Sequence, residues 1–278
     1  AKILHIITSL RLGGAEMALL NRLKVMRHDA AIEHLVVCFY DGPVAQLIRQ
    51  LDIQVVQVKG LVRGYDPVGI WQVMHIARTF KPDLIHTALW AANMVGRFIG
   101  SCFHVPVINE LHGNVAHEGW LRNIIERWSL RGVDRVVAVS PSVRATYEHQ
   151  IIKTLSEKKQ KFITPRLVTI ANGIDRQDLI ARIAHSPLER DMLGLTAEDF
   201  VVGAIGRFEK IKSYDVLIKS FHQFCLMVKP DERHVIKLML VGDGSQRAML
   251  EKLVLESGLQ EQVVFTGYRT DAYKFYPL

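Results

Sequence analysis

The feature that most constrains this chain is a repeated unit: a short apolar run, a turn rich in glycine or proline, then an amphipathic stretch at helical spacing. The unit recurs from residue 2 almost to the end of the 278 residues. Strands separated by helices pair in parallel, because each helix crosses over before the next strand begins, and the helices then cover both sheet faces. Runs 2–8, 35–39, 55–58, 84–86, 105–111, 135–139 and 167–171 predict a first series of strands. Helices are predicted over 15–26, 67–80, 91–102 and 121–130. Another opens at Ser140-Pro141, with serine as cap and proline at the first helical position. The Lys-rich stretch 151–165 lacks sustained apolar periodicity and reads as an exposed excursion. After the turn signal Asn172-Gly173, a second series follows, with strands 200–205, 236–241 and 263–266 and helices 215–227 and 246–257. The pattern predicts an α/β chain of two open-sheet domains, 1–173 and 174–278. Three strands are few for such a domain, so we expect the second to be incomplete and the sequence to be part of a longer protein.

Composition fits a soluble globular chain with a sizeable core, at 49% hydrophobic and 23% charged residues. The most apolar stretch, 84–108, is interrupted by His86, Arg97 and His104 and does not read as a membrane span. Cys38, Cys102 and Cys225 lie far apart in apolar surroundings without CxxC spacing, which predicts buried free thiols in a reducing cytoplasm. The net charge of +7 is uneven: residues 1–165 hold 20 Lys and Arg against 13 Asp and Glu, whereas 166–278 hold 15 of each. The first half therefore either carries a plain solvated basic surface or faces an anionic partner: a lipid surface, a phosphate-bearing acceptor or nucleic acid.

Four stretches carry candidate chemistry. Gly13-Gly14, between the first strand and its helix, lets the backbone turn and a phosphate approach the helix N-terminus. It lacks the GxGxxG spacing of a dinucleotide site, reads equally as a bare turn, and leaves Asp41 at the end of the second strand a weak ribose ligand. Gly206-Arg207 ends a strand of the second series, with Lys212 and Ser213 just ahead of the next helix. Two cations beside a helix start suit a diphosphate, Arg207 binding bidentately and Ser213 capping the helix; a surface loop is the alternative. His112, in Glu110-Leu111-His112-Gly113 at a strand end, is placed to face a crevice, whereas His86 reads as a satisfied packing histidine. The eight-residue spacing of Glu110 and Glu118 is accidental. Val241-Gly242-Asp243-Gly244 and Phe265-Thr266-Gly267-Tyr268-Arg269 are further strand-end turns. No carboxylate pair or His/Cys cluster has metal-site spacing, and no GxSxG nucleophile elbow is present.

In order along the chain, Gly13-Gly14-Ala15-Glu16, His112, Val139-Ser140-Pro141, Asn172-Gly173-Ile174-Asp175, Gly206-Arg207 with Lys212, Val241-Gly242-Asp243-Gly244 and Phe265-Thr266-Gly267-Tyr268 resemble the retaining glycosyltransferases of family GT4. The resemblance implies a GT-B fold of two Rossmann-like parallel-sheet domains facing across a cleft. It further implies metal-independent transfer from a UDP- or GDP-sugar, with no other cofactor, to a glycan or lipid-linked acceptor in cell-envelope polysaccharide or lipopolysaccharide synthesis. It gives Arg207 and Lys212, with Ser213, the donor diphosphate, brings Gly13 and Gly14 to the donor, and sets His112 near the reacting centre. Gly242, Tyr268 and Arg269 would lie on the donor side, with the backbone of 267–269 toward the nucleobase. Arg11 and Glu16 would lie on the acceptor side. The family's usual Glu-Lys-Gly is Ile211-Lys212-Ser213 here, and its Glu-x7-Glu would fall beyond Leu278. A cytoplasmic location at the inner membrane face is implied, with no nucleic-acid partner. Helix 121–131, with Trp120, Trp128, Arg122, Arg127 and Arg131, is a candidate for contact with an anionic membrane, but Leu121, Ile124, Ile125 and Trp128 fit a face packed on the sheet, and we expect that packing. The rival readings are a non-enzymatic, transferase-like binding module and a nicotinamide-dependent oxidoreductase.

Overall fold

The computed structural model describes residues 1–59, 67–113, 120–269 and 271–277. They form two compact units, Ala1–Ile174 and Asp175–Leu278. The first holds β1 (Lys2–Ser9), α1 (Gly14–Met26), β2 (Glu33–Tyr40), α2 (Pro43–Arg49), β3 (Gln54–Gln57), α3 (Pro67–Phe80), β4 (Leu84–Ala88) and α4 (Trp90–Phe103). It continues with β5 (Val107–Leu111), α5 (Trp120–Ser129), β6 (Arg135–Ala138), α6 (Pro141–Gln150), α7 (Glu157–Ile163) and β7 (Leu167–Thr169). The strands make one sheet in the order β3-β2-β1-β4-β5-β6-β7, every neighbouring pair parallel. The direction of winding reverses between β1 and β4.

Strand alternation divides the core. Leu4 and Ile6 of β1, with Leu35, Val37 and Phe39 of β2, pack under Val73 and Ala77 of α3 and Val95 and Ile99 of α4. On the opposite face, Ile7, Val36 and Cys38 meet Leu19, Leu20 and Leu23 of α1 and Val44 and Ile48 of α2. Helix α4 sits hard on the sheet, since a Cβ on Gly96 would collide with the Thr87 side chain, and one on Gly100 with that of Val107.

Three expectations are corrected, and one helix for which the sequence made no prediction is present. Residues 151–165 are no exposed excursion: α7 lies there, and Ile151, Ile152, Leu155 and Ile163 are buried against Tyr147 and Leu167. Their spacing is irregular because a short 3-10 turn, Ile152–Thr154, precedes the helix and breaks the period. Helix α2 follows Gly42 with Pro43 at its first position, too short to show a period of its own. Cys102 is exposed, while Cys38 and Cys225 are buried. Finally, α5 does not pack through its apolar residues. Ile124 is 48% exposed and Trp128 79%, and only Ile125 turns partly inward. The side chain of Leu121 lies outside the described residues.

The reason for α5's orientation is a buried polar group. Arg97 of α4 is 1% exposed and donates to Asn109 Oδ1 at 2.5 Å, Ser129 Oγ at 2.9 Å and Glu126 Oε1 at 2.7 Å. Tyr147 of α6 donates to the same Glu126 oxygen at 2.5 Å. A buried guanidinium needs a carboxylate, so α5 turns Glu126 to the core and leaves Trp120, Ile124 and Trp128, four residues apart, on the outside.

The second unit contains α8 (Arg176–His185), β8 (Phe200–Ile205), α9 (Tyr214–Met227), β9 (Ile236–Val241), α10 (Arg247–Glu256) and β10 (Val263–Gly267). Its sheet is parallel in the order β10-β9-β8. Leu238 and Leu240 pack on Ile218 and Phe221 of α9 and Leu250 and Val254 of α10. On the other face, Met239 and Val241 meet Leu195 and Phe275. No described helix is long and apolar enough to cross a membrane.

Candidate active site

In the first unit, the candidates gather at the carboxyl edge of the sheet, where open α/β sheets bind ligands. Gly13 is extended and leads into α1 from β1, beside the switch between β1 and β4. The Glu16 carboxylate folds back over Gly13, leaving no room for a Cβ there, and is itself buried. Gly14 is different. A Cβ on it would meet no described atom within 4 Å, so internal packing does not explain a glycine at that place. Arg11 is exposed, its guanidinium 5.7 Å from the centre of the Tyr40 ring.

His112 follows β5, its side chain 6% exposed, and its Nε2 donates to Glu110 Oε2 at 2.9 Å. It lines a pocket of about 140 Å³ with Leu89, Trp90, Asn93 and Tyr147. Leu89 enters α4 at φ 73° and ψ 151°, a backbone region almost reserved for glycine, so strain is stored on this wall. Glu110 is 5% exposed. Burial alone would raise its carboxyl pKa, but the hydrogen bond from His112 and the Arg22 charge hold it well below the usual carboxylate range. His86 is a satisfied buried histidine, as expected, but its partners are polar: Arg22 and His5. Glu118 lies outside the described residues. Asp41 is occupied by Arg49 at 2.8 Å and by the Gly42 amide at 2.7 Å.

In the second unit, three strand-end loops are knitted together. Gly206 N donates to Val241 O at 2.9 Å, Phe208 N to Asp243 O at 3.0 Å, and Gly242 N to Gly267 O at 3.0 Å. Gly242 has φ 147°, and a Cβ there would collide with the Gly206 carbonyl. Both Arg207 and Lys212 are exposed on the loop between β8 and α9, and neither has a side-chain hydrogen bond or ion pair among the described residues. Ser213 stands at the start of α9 in the left-handed region, φ 52°, and makes no side-chain cap, which corrects the expected capping role. Left-handed backbone favours glycine, which accounts for glycine being usual at that position in the family it resembles. Tyr268 is 54% exposed. Arg269 is committed to Asp271 by two bonds of 2.8 and 2.9 Å, so its side chain is less free than a ligand-seeking arginine would be.

Arg22, His5 and His34 were missed in the sequence, and Glu110 was named there without a role. A histidine in mid-strand on each of β1 and β4 was the available signal, because these strands pair with His5 opposite His86.

Residues 13–153 match the glycosyl transferase 4-like domain family and residues 186–277 the glycosyl transferases group 1 family. The chain belongs to the group 1, or GT4, glycosyltransferases. It is 31% identical over 74% of its length to the lipopolysaccharide core biosynthesis glycosyltransferase LpsD of Rhizobium meliloti, covering 49% of that protein. It is 22% identical over 72% of its length to an alpha-monoglucosyldiacylglycerol synthase of Streptococcus pneumoniae, covering 45% of it. The chain spans about half the length of these curated relatives. Among solved structures, HepE of Anabaena in complex with UDP and glucose superposes with a TM-score of 0.76 at 24% identity, over 98% of this chain and 71% of that one. The fold is of the GT-B type, with two Rossmann-like parallel-sheet domains in one chain.

Proposed function

We propose that this chain supplies the acceptor-side domain and much of the donor-side domain of a retaining, metal-independent glycosyltransferase. It moves a sugar from a UDP- or GDP-sugar, with no further cofactor, to a glycan or lipid-linked acceptor in cell-envelope polysaccharide or lipopolysaccharide synthesis. The observation that carries the reading is that Arg207 and Lys212 are exposed on the loop that leads into α9 and have no side-chain partner among the described residues. Cations held ready on such a loop suit the diphosphate of a donor and stabilise charge on the leaving nucleotide. The HepE complex with UDP and glucose supports the donor class, and the name of LpsD supports the pathway class.

The test uses the longer protein that contains this chain. Arg207→Ala and Lys212→Ala should each lower transfer by about 100-fold or more, the scale of losing one preorganised charge-stabilising donor, with far-UV circular dichroism unchanged. Unchanged donor affinity and turnover in both variants would overturn the assignment. Turnover of any nucleotide sugar disposes of the binding-module rival. NADH binding would favour the oxidoreductase instead.

The acceptor is proposed to lie at an anionic membrane, at its cytoplasmic face, with no role for nucleic acid. Support comes from the outward stripe Trp120, Ile124 and Trp128 on α5, continuous with a groove of about 370 Å³ lined by Met94, Phe98 and Ile125. Exposed Arg122 and Arg131 flank it, in the half that carries the whole net charge. Aromatic residues beside arginines suit the interface of an anionic bilayer. Vesicles containing phosphatidylglycerol should co-float with the protein, neutral vesicles much less, and Trp120→Ala/Trp128→Ala should abolish the difference. A double variant that still floats preferentially with phosphatidylglycerol vesicles, as the unaltered protein does, would refute the contact.

A further inference from the structure

A line of buried and half-buried side chains crosses the first sheet from β2 to β5 and ends at His112. Arg22, reaching down from α1, donates from Nη2 to Glu110 Oε1 and from Nη1 to His86 Nε2, the latter at 3.0 Å. His86 Nδ1 lies 3.1 Å from His5 Nδ1, and His5 Nε2 lies 3.1 Å from His34 Nδ1. His5 is 2% exposed, His86 7% and Glu110 5%. The strands that supply them, β2, β1, β4 and β5, are successive neighbours in the sheet.

The protons in this line follow from one fact: a guanidinium only donates. His86 Nε2 must therefore accept from Arg22, and the 3.4 Å separation of that nitrogen from Glu110 Oε1 is the longer of its two contacts. Neutral His86 then carries its proton on Nδ1 and donates to His5 Nδ1. His5 must carry its own on Nε2 and donates to His34 Nδ1. The last proton falls on His34 Nε2, which is buried without a hydrogen-bond partner among the described residues, the Met26 carbonyl alone favouring a proton on that ring. Arg22 thus fixes three tautomers from one end. It fixes a fourth through Glu110: with Oε1 taken by Arg22, Oε2 accepts from His112 Nε2.

We infer that Glu110, clamped by Arg22, is a positioning residue that holds His112 as its Nε2–H tautomer and so offers Nδ1 as a hydrogen-bond acceptor to a substrate hydroxyl. The nitrogen that carries the proton is decided by the bond that the other nitrogen makes. An acceptor at Nδ1 recognises an O–H donor, the group in which a sugar is richest, and the inference of a sugar hydroxyl rests on the transferase reading above. His86 serves the same end at one remove. By accepting the second Arg22 donor, it pins the guanidinium in the plane that reaches Glu110.

The test is Glu110→Gln in the full-length protein, with histidine ring ¹⁵N spectra as the first readout. A glutamine keeps the shape, but can present an acceptor to only one of Arg22 and His112. With its oxygen on Arg22, it turns an N–H toward His112 and drives the proton from Nε2 to Nδ1. We expect the wild-type His112 spectrum to show Nε2–H and the variant to show Nδ1–H. Turnover should fall about 10- to 100-fold, the range for loss of a charge-assisted partner, with donor KM little changed. His86→Gln, which keeps an acceptor for Arg22, should retain most activity, whereas His86→Leu should not. An unchanged His112 tautomer in Glu110→Gln overturns the inference. A shifted tautomer in a protein that transfers no sugar upholds the positioning and sinks the transferase reading alone.

Discussion

The substitution Arg97→Met removes the one buried cation that explains why α5 faces inward with its polar side. Among the described residues, Glu126, 2% exposed, then keeps only the Tyr147 hydroxyl, and Asn109 loses a 2.5 Å donor. Breaking a buried ion pair from one side costs about 3–5 kcal/mol, because the remaining charge stays desolvated. For a unit of this size, that corresponds to a fall of about 6–20 °C in melting temperature. Removing the network as a whole is a different perturbation. Arg97→Met with Glu126→Leu and Tyr147→Phe leaves neither an orphaned charge nor a hydroxyl without an acceptor, and should recover most of the loss. Urea unfolding followed by far-UV circular dichroism at constant pH measures both. A cost below about 1 kcal/mol for Arg97→Met, or a triple variant no more stable than the single one, would refute the account of α5.

Three further outcomes follow from the geometry. Gly14→Ala should leave stability unchanged or raise it by up to about 1 kcal/mol, since no described atom crowds the site, while donor affinity in the full-length protein drops; equal affinity would leave the glycine unexplained. Ser213→Gly should stabilise the second unit by about 0.5–1 kcal/mol by relieving the left-handed backbone at φ 52°, as a shift in urea midpoint would show. Burial first, then the neighbouring His86, His34 and Arg22, push His5 well below the ordinary value of 6.5, and burial also lowers His34. The unfolded chain therefore takes up protons that the folded one refuses. The stability from these histidines is complete above pH 6.5 and is lost as pH falls toward their folded values, at about 1.4 kcal/mol per pH unit for His5. Glu110 adds a loss of the same sign below its ordinary 4.5. Urea midpoints for the first unit that do not change between pH 7 and pH 5 would contradict the buried neutral ladder.

Much of the architecture was legible because strand alternation and glycine turns are local properties. The run 2–8, the turn at Gly13-Gly14 and the Ser140 cap, which accepts from Val143 N at 3.2 Å, each declare themselves within a few residues. What was not legible depended on partners far away in sequence. The period of α5 gives a stripe but not its direction, and the direction is set by Arg97, 29 residues before Glu126. His5, His86 and Arg22 look unrelated until β1 and β4 pair and α1 lies across them. The Arg207 and Lys212 loop was readable as a candidate because position at a strand end is itself a local signal. The conformation of Ser213 was not, since serine is as common before a helix as glycine is suited to a left-handed turn.

The outward face of α5 also determines what light reports about this protein. All four tryptophans, Trp71, Trp90, Trp120 and Trp128, belong to the first unit, and the second has only tyrosine and phenylalanine. Three of the four are largely exposed, at 65%, 75% and 79% for Trp71, Trp120 and Trp128. Within these 278 residues, excitation at the red edge therefore interrogates the first unit alone, so their emission and circular dichroism will trace different melting curves wherever the two units unfold separately. Two of the indoles stand on the very stripe proposed to meet lipid, and their emission would move to the blue on contact with a bilayer without any label being added.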